Sequence, residues 1–229
     1  MSDLSPNPTG ESAQAVHPQH AQTRLQLLEA AAEVFAEVGF RDATVREICR
    51  RAQANVAAIN YHFGDKETLY LEVLRHSQTI TYELHPLLPG VGPETPPAEK
   101  LRAFVHSFLQ RVFDQGKAAC HGRLMSREMI EPTAALDALV EERMKPMSAA
   151  LHGIVAEILQ CDPAEPVVRR CAASVVSQCV FYHHCRPVME RLNPGLLPFD
   201  QAELERLADH ITRFSLAAMK HLPVLPGQP

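Results

Sequence analysis

Several side chains that can bind an anion lie together in the segment NVAAINYHFGDKETLY, residues 55–70. Asn60, Tyr61 and His62 are consecutive, and Lys66 follows four residues after His62. Each of these side chains can donate a hydrogen bond to a phosphate oxygen. The segment therefore offers a set of contacts to a nucleic-acid backbone.

The start of the same segment carries short side chains that would let its backbone approach a base pair closely. Asn55 is followed by Val56, Ala57 and Ala58. A helix that enters the major groove places its N-terminal residues against the base edges. Nine residues before Asn55, Arg46 is the one long basic side chain nearby that can reach a base edge.

Two short helices joined by a tight turn would position these residues. Thr44 is a good N-cap for one helix, and Glu47 stands at its capping-box position. Asn55 can cap the next helix after a turn at Gln53. A longer helix over about residues 23–38 precedes both, which gives the arrangement of a helix-turn-helix.

Helical spacing separates two faces in the third of these helices. Ile59 and Phe63 are four residues apart and face the core, and we expect Val56 or Ala57 to be buried with them. The Tyr and His between Ile59 and Phe63 then point away from the core. Gly64 and Asp65 stop this helix and cap a fourth one.

The stretch LLEAAAEVFAEVGFRDATVREICRRAQANVAAINYHFGDKETLY resembles the DNA-binding domain of TetR/AcrR-family transcriptional repressors. The positions that match the family signature are Thr44, Val45, Ile48, Ala52, Ile59, His62, Phe63, Lys66 and Leu69. The resemblance implies that residues 21–68 form the DNA-binding domain. The residues expected to contact double-stranded operator DNA are Thr44, Arg46, Asn55, Val56, Ala57, Ala58, Asn60, Tyr61, His62 and Lys66.

Three residues depart from the pattern of that family. Cys49 replaces a small Ala, Gln53 replaces the Gly of the turn, and Asn60 stands where a Tyr is common. Gln53 costs the fold about 1 kcal/mol if its φ is positive. Tyr61 can supply the phosphate contact that Asn60 lacks.

The charge of the chain restricts how it binds DNA. The formal net charge is -5, so binding must rest on a local surface. Residues 46–66 carry four basic and two acidic side chains, which is a modest basic excess. We therefore expect few phosphate contacts per subunit and an affinity that depends on dimerisation and salt.

The rest of the chain is helical as well, so the predicted fold class is all-α, with residues 69–222 forming a C-terminal bundle. The segment HPLLPGVGPETPP interrupts the helices after the fourth one, which we expect to pack on both halves. A helix over about residues 134–159 contains Pro146, which predicts a kink or break. Two long helices, residues 166–192 and 201–222, close the chain.

The C-terminal half, with the segment HGRLMSREMIEPT, resembles the CecR-like subgroup of the same family. The resemblance implies a homodimer formed through the last two helices, and a small-molecule effector bound inside the bundle. The residues expected to line the effector pocket are Phe104, Phe108, Met125, Arg127, Glu128, Met129 and Phe181. The hypothesised mechanism is a population shift, in which the fourth helix transmits effector binding to the recognition helices.

Two groups of polar residues allow other interpretations. Arg127 and Glu131 are four residues apart on a helix and can form a structural ion pair, or Arg127 and Glu128 can anchor an amphipathic ligand. Cys179 and His183 share a helix face, and with Cys185 they leave a thiol or metal sensor as an alternative. The six cysteines contain no C-x-x-C pair and are interpreted as buried free thiols, with no metal site.

Alternatives to a ligand-responsive repressor also remain for the whole chain. The negative charge and the changed signature positions are compatible with a helical ligand- or partner-binding protein that does not bind DNA. An enzyme is not expected, because no catalytic motif such as G-x-S-x-G, H-E-x-x-H or S-x-x-K occurs, and no cofactor is predicted.

The two ends of the chain are predicted to be tails, residues 1–20 and 223–229. The first is rich in Ser, Pro, Gln and His, and it lacks the basic and apolar regions of a signal peptide. No run of about 18 apolar residues occurs in the sequence, so no contact with a membrane is expected. These features predict a cytoplasmic protein.

Overall fold

A computed structural model describes residues 18–114, 116, 119–194 and 200–222, and these residues form helices and connecting loops without any β-strand. The helices are α1 (Pro18–Asp42), α2 (Val45–Arg51), α3 (Val56–Phe63), α4 (Lys66–Leu84), α5 (Pro97–Phe113), α6 (Ala119–Ile130), α7 (Ala135–Leu139), α8 (Lys145–Leu159), α9 (Pro166–His184), α10 (Arg186–Leu192) and α11 (Gln201–His221), with a π-helical turn at Val140–Met144 between α7 and α8. The predicted all-α class is confirmed.

The first helix begins earlier than the sequence predicts. Most of the predicted tail at residues 1–20 lies outside the described residues, but Pro18 already starts α1. The ring of His20 lies 5.7 Å from the ring of Tyr61 in an edge-to-face arrangement. This contact stabilises the first turn, which polar composition alone would leave unfolded. The second predicted tail, residues 223–229, also lies outside the described residues.

The end of α1 is bent at Gly39, where the backbone has φ 80° and ψ 174°. A Cβ atom built on Gly39 would stand 3.0 Å from Nη1 of Arg127. Glycine therefore meets two requirements at this point, a backbone conformation that other residues avoid and close packing against a side chain of α6.

The turn between α2 and α3 has the geometry of a helix-turn-helix. Thr44 caps α2 by accepting a hydrogen bond from the Glu47 N–H at 3.2 Å, and Asn55 caps α3 by accepting one from the Ala57 N–H at 3.0 Å. Gln53 has φ 52°, the left-handed conformation expected where the family usually has glycine. The prediction that Gln53 carries this backbone strain is confirmed.

Two hydrophobic cores organise the helices. The first is built around α1 to α4, and Leu124 of α6 and Leu139 of α7 complete it. The second is formed by α5, α8, α9 and α11. Leu69 and Leu74 of α4 belong to the first core. The packing of the DNA-binding half thus continues past the predicted boundary at residue 68, because α4 and α6 lie against α1.

Prolines interrupt two of the predicted C-terminal helices. The helix expected over residues 134–159 is broken by the π-helical turn, and α8 starts again with Pro146 in its first turn. The helix expected over residues 166–192 ends at His184, and α10 begins with Pro187 in its first turn. Proline lacks the N–H that would bond the carbonyl one turn earlier, and its ring crowds that carbonyl. The predicted kink or break at Pro146 is confirmed, whereas the prediction of one helix over residues 166–192 was wrong. None of the described helices is both long and apolar enough to span a bilayer.

Candidate DNA-binding surface and effector cavity

The exposed face of α3 carries the short side chains and the tyrosine that the sequence singled out. Ile59 and Phe63 are buried in the first core, whereas Tyr61 is 71% exposed. Val56 is 42% exposed and Ala57 is also exposed, so the expectation that one of them is buried was wrong. The first turn of α3 faces solvent because its N-terminus projects from the core, and this leaves it accessible to a groove.

A shallow groove runs beside α3 and is shared with the start of α1. Its walls contain Ala57, Ala58, Tyr61 and His62 from α3, together with His20. The ring of Tyr61 lies 4.9 Å from the ring of His62. Burial, and then the positive charges of His20 and the nearby Arg24, lower the pKa of His62. The imidazole of His62 is therefore neutral at pH 7, and it can offer a hydrogen bond rather than a charge.

The basic side chains of α2 differ in how far their charges are neutralised. Arg51 donates hydrogen bonds to both carboxylate oxygens of Glu37, at 2.9 and 2.6 Å, and Arg50 donates two to Glu47. The guanidinium groups of Arg50 and Arg51 lower the pKa of Glu47 to about 2. Arg46 is exposed and forms no ion pair with any residue that the structure describes. Arg46 is therefore the α2 cation that is available to DNA.

Lys66 lies at the start of α4 and also contacts the end of α1. Its ammonium group is 4.6 Å from the centre of the Phe40 ring and donates a hydrogen bond to the carbonyl of Arg41 at 3.3 Å. These contacts orient the ammonium at the edge of the α2–α3 surface and use part of its hydrogen-bonding capacity. Asn60 is exposed on the same surface.

A cavity of about 460 Å³ lies inside the C-terminal bundle. Helices α4, α5, α6, α8 and α9 form its walls, together with the π-helical turn. The lining side chains are mainly apolar and include four methionines, and the polar ones are basic or neutral. No Asp or Glu is among the described residues that line it. The size and the apolar walls suit a small organic molecule.

Each wall of the cavity contributes polar side chains, including Arg143 of the π-helical turn and Ser148 and His152 of α8. Arg111 is only 4% exposed, and it donates hydrogen bonds to Oγ of Ser107 at 2.9 Å and to the carbonyl of His85 at 3.3 Å. His121 has Nδ1 at 3.2 Å from Oγ of Ser77. Burial, and secondly the charge of Arg111, lower the pKa of His121 to about 4. His121 is thus neutral, and Arg111 is the most buried cation of the cavity.

Comparison with known families assigns both halves of the chain. Residues 27–73 match the family described as "Bacterial regulatory proteins, tetR family". Residues 97–219, more than half of the chain, match "HTH-type transcriptional dual regulator CecR, C-terminal domain". The chain belongs to the TetR family of bacterial regulatory proteins. Its C-terminal half is of the CecR type, as the sequence predicted.

Individual relatives agree with this assignment along most of the chain. The transcriptional dual regulator CecR of Shigella flexneri is 26% identical over 205 residues, which are 83% of this chain and 88% of that protein. The transcriptional repressor NicS of Pseudomonas putida is 26% identical over 223 residues, 93% of this chain and 97% of that protein. The crystal structure of Bacillus subtilis FadR with stearoyl-CoA is similar in fold, with a TM-score of 0.61, 17% identity and coverage of 84% and 97%. The TetR-family assignment makes this chain a ligand-responsive, DNA-binding transcriptional regulator.

The structure brings together four of the seven residues predicted to bind an effector in this TetR-family regulator. Phe104, Phe108, Met125 and Met129 line the cavity. Phe181 does not, because it lies on the outer face of α9 and is 50% exposed. Val180 and His183, which are close to Phe181 on α9, line the cavity instead.

Arg127 and Glu128 also lie outside the cavity, and each connects α6 to the DNA-binding half. Arg127 donates hydrogen bonds to the carbonyls of Ala36, at 3.0 Å, and Glu37 at the end of α1, in place of the predicted pairing with Glu131. Glu128 is 0% exposed and accepts a hydrogen bond from the hydroxyl of Tyr70 at 2.8 Å. These two residues are structural links between α6 and helices α1 and α4.

Sequence reasoning missed Arg111, although a signal was present. Arg111 follows Phe104 by seven residues and Phe108 by three, so it falls on the apolar stripe of α5. An arginine on a buried stripe needs a partner inside the fold. Gln78 and His121 were missed as well, because each becomes part of the cavity only when α4 and α6 pack together.

The structure and the TetR-family assignment do not favour the suggested sensor on α9. Cys179 is fully buried, and burial raises the pKa of its thiol to about 12, so the reactive thiolate is absent at pH 7. His183 faces the cavity, with Nε2 at 3.3 Å from Oγ of Ser126. Among the residues with described positions, no three His, Cys, Asp or Glu side chains are grouped as metal ligands. Cys49 and Cys171 are buried, and the other three cysteines are half-buried.

Proposed function

We propose that this chain is a homodimeric repressor that binds operator DNA through α2 and α3 and is released when a small molecule fills the C-terminal cavity. The observation that carries the proposal is the position of α6. Met125 and Met129 on one side of α6 line the cavity, while Arg127 and Glu128 on the other side hold α1 and α4. A molecule that displaces α6 would therefore move the helices that support the DNA-binding surface.

The proposed DNA contacts follow from exposure and from charge. Val56, Ala57 and Ala58 allow the first turn of α3 to enter the major groove. Arg46 reaches a base edge or a phosphate, since its guanidinium is not neutralised by a neighbouring carboxylate. Tyr61, on the exposed face of α3, donates its hydroxyl to a phosphate.

The remaining predicted contacts have supporting roles in the proposal. Thr44 and Asn55 cap α2 and α3, so their side chains fix the two helix ends that meet the DNA backbone. Asn60 and His62 add neutral hydrogen bonds to phosphates. Lys66 contributes its charge from the edge of the surface.

The proposed dimer interface lies on the outer faces of α9 and α11. Phe181 of α9 is 50% exposed and Phe214 of α11 is 60% exposed. Ser177 lies four residues before Phe181, and Ala217 lies three residues after Phe214. Both of these short side chains are exposed. Large apolar side chains beside short ones suit close packing of two helix pairs. The two α3 helices of such a dimer would have to match half-sites about 34–36 Å apart.

Repression and location in the cell are inferred from the partner and from relatives. NicS of Pseudomonas putida, which aligns with nearly the whole chain, is a repressor, whereas CecR is a dual regulator. A repressor that acts on operator DNA works in the cytoplasm. A promoter fused to a reporter gene would test the direction of control, because higher transcription in the presence of the chain would contradict repression.

A gel-shift titration tests the DNA-binding part. The DNA would be the region flanking the coding sequence of the chain, and sites selected from a random library. Arg46→Ala is expected to weaken operator binding by roughly 10- to 100-fold, the effect of losing one good base contact. Arg50→Ala is the matched control, since Arg50 is already neutralised by Glu47, and it should change the affinity less than about threefold. Equal losses in both variants would refute the proposed role of Arg46.

A further inference from the structure

Arg111 is a buried cation whose bonding is incomplete. Its Nη1 donates to Ser107 and to the carbonyl of His85, but its Nη2 is buried without a hydrogen-bond partner among the residues that the structure describes. The guanidinium also lies 4.8 Å from the centre of the Tyr82 ring. An aromatic face stabilises a cation only partly, and a buried charge without an ionic partner is strongly unfavourable.

The carboxylates near Arg111 are engaged elsewhere. Asp114 is paired with His85 at 2.8 Å, and Glu128 accepts hydrogen bonds from Tyr70 and Thr133. No ion pair of Arg111 is formed within the described ranges 18–114, 116, 119–194 and 200–222. The intervening residues 115–118 read QGKA and contain no acid. The residues with described positions thus supply no carboxylate partner for this guanidinium.

The cavity wall contains a second incompletely bonded group, Gln78, which lies four residues before Tyr82 on α4. Among the described residues, Oε1 of Gln78 is buried without a partner, and Nε2 of Gln78 lies 3.9 Å from Sδ of Met125. A sulfur atom is a weak acceptor, so the whole amide of Gln78 is poorly bonded. Both Gln78 and Arg111 line the cavity. Unsatisfied polar groups of this kind in a ligand pocket fix the orientation of a bound molecule.

Most of the remaining wall is apolar and adaptable. Met125, Met129, Met144 and Met147 line the cavity together with Phe104 and Phe108. Methionine side chains are flexible and polarisable, and they adjust to apolar molecules of different shape. Arg143 and Arg169 also line the cavity, but Arg143 is half-buried and Arg169 is exposed. The cavity therefore combines one buried cation, Arg111, with a surface that accepts a hydrophobic body.

We propose that the effector is an amphipathic organic anion, whose negatively charged group pairs with Arg111 beside Gln78 and whose apolar body lies among the four methionines. This inference rests on the proposed function of the cavity as the effector site. An oxyanion would accept the free Nη2–H of Arg111 in a charge-assisted hydrogen bond. It would also compensate the buried charge, which has no carboxylate partner within the described part of the chain.

Two fluorescent probes that differ by one sulfonate group test the proposal. They are 8-anilinonaphthalene-1-sulfonate, an anion, and N-phenyl-1-naphthylamine, its uncharged parent. Arg111→Met is expected to weaken binding of the anionic probe roughly 10- to 100-fold and to change binding of the neutral probe less than about threefold. Arg102→Met, on the same helix but paired with Asp209 at the surface, is the control and should change neither.

Other outcomes of the probe experiment overturn the inference. If Arg111→Met binds the anionic probe as the wild type does, or loses both probes equally, Arg111 does not select an anion. Displacement of the neutral probe from the wild type gives a measurement that does not depend on any variant folding. Decanoate is expected to displace it at roughly tenfold lower concentration than decan-1-ol. Equal potency of the acid and the alcohol would overturn the proposal.

Operator binding separates this inference from the proposed function. If decanoate binds through Arg111 but leaves operator affinity unchanged, anion selection stands and the effector role of the cavity fails. If an uncharged molecule instead releases the operator and Arg111→Met does not alter that response, the effector role stands and anion selection fails. In both cases the operator affinity is measured in the same gel shift, performed with and without each molecule.

Discussion

Removal of the Tyr70 hydroxyl should destabilise the chain far more than the loss of one exposed oxygen would. The hydroxyl donates a 2.8 Å hydrogen bond to Oε2 of Glu128, whose side chain is fully buried. The other oxygen, Oε1, accepts hydrogen bonds from the N–H and the hydroxyl of Thr133, at 2.8 and 3.0 Å. Tyr70→Phe leaves Oε2 without its donor, while the ring contacts with Phe35 and Phe40 are retained.

The size of the effect follows from the charge of the acceptor. Hydrogen bonds to charged groups contribute about 1.5–3 kcal/mol, and a buried acceptor that loses its donor keeps its full desolvation cost. We therefore expect Tyr70→Phe to lower the free energy of unfolding by about 2 kcal/mol. Because Tyr70 is on α4 and Glu128 is on α6, the lost stability measures the link between the cavity and the DNA-binding half.

Urea unfolding followed by circular dichroism is the appropriate measurement, at one fixed protein concentration because a dimer is proposed. Tyr82→Phe is the matched control. Within the described part of the chain, the hydroxyl of Tyr82 meets only Sδ of Met147 at 3.6 Å, so its removal should cost less than about 0.5 kcal/mol. A Tyr70→Phe chain as stable as the Tyr82→Phe chain would show that the buried carboxylate does not depend on this donor, and the reasoning would be wrong.

Three further predictions concern the turn, the cavity and the dimer. Gln53→Gly should raise the free energy of unfolding by up to about 1 kcal/mol, since glycine adopts φ 52° without strain, and a loss of stability in urea would contradict this. The pKa of His121 is about 4 in the folded chain and about 6.5 in the unfolded chain, so the unfolded chain binds more protons between these pH values. The free energy of unfolding should therefore fall by up to about 3 kcal/mol as the pH decreases from about 6.5 to 4, and the His121→Gln variant should lack this part of the pH dependence. Phe214→Glu should shift sedimentation from dimer to monomer, and an unchanged dimer would place the interface elsewhere.

Local sequence patterns determined the DNA-binding half well. The caps at Thr44 and Asn55, the buried pair Ile59 and Phe63 and the strained turn at Gln53 all depend on neighbours within a few residues. Such interactions are specified by short-range spacing, which a single sequence displays directly.

The effector region was less predictable because it depends on contacts between distant residues. Arg127 reaches carbonyls about ninety positions earlier in the chain, so no helical spacing could identify its partners. Phe181 faces outward because α9 turns its other side to the cavity, and that rotation is set by packing against α5 and α8. The break before Pro187, by contrast, could have been predicted from the proline itself.

The ion pairs of α2 affect how the regulator is distributed between its operator and the rest of the chromosome. Non-specific attraction to chromosomal DNA grows with the number of free cations that can replace counterions. With Arg50 and Arg51 occupied by carboxylates of the same chain, each subunit brings little charge to arbitrary sequence. We therefore expect weak binding to unrelated sequences, which would leave a larger share of the molecules available for an operator.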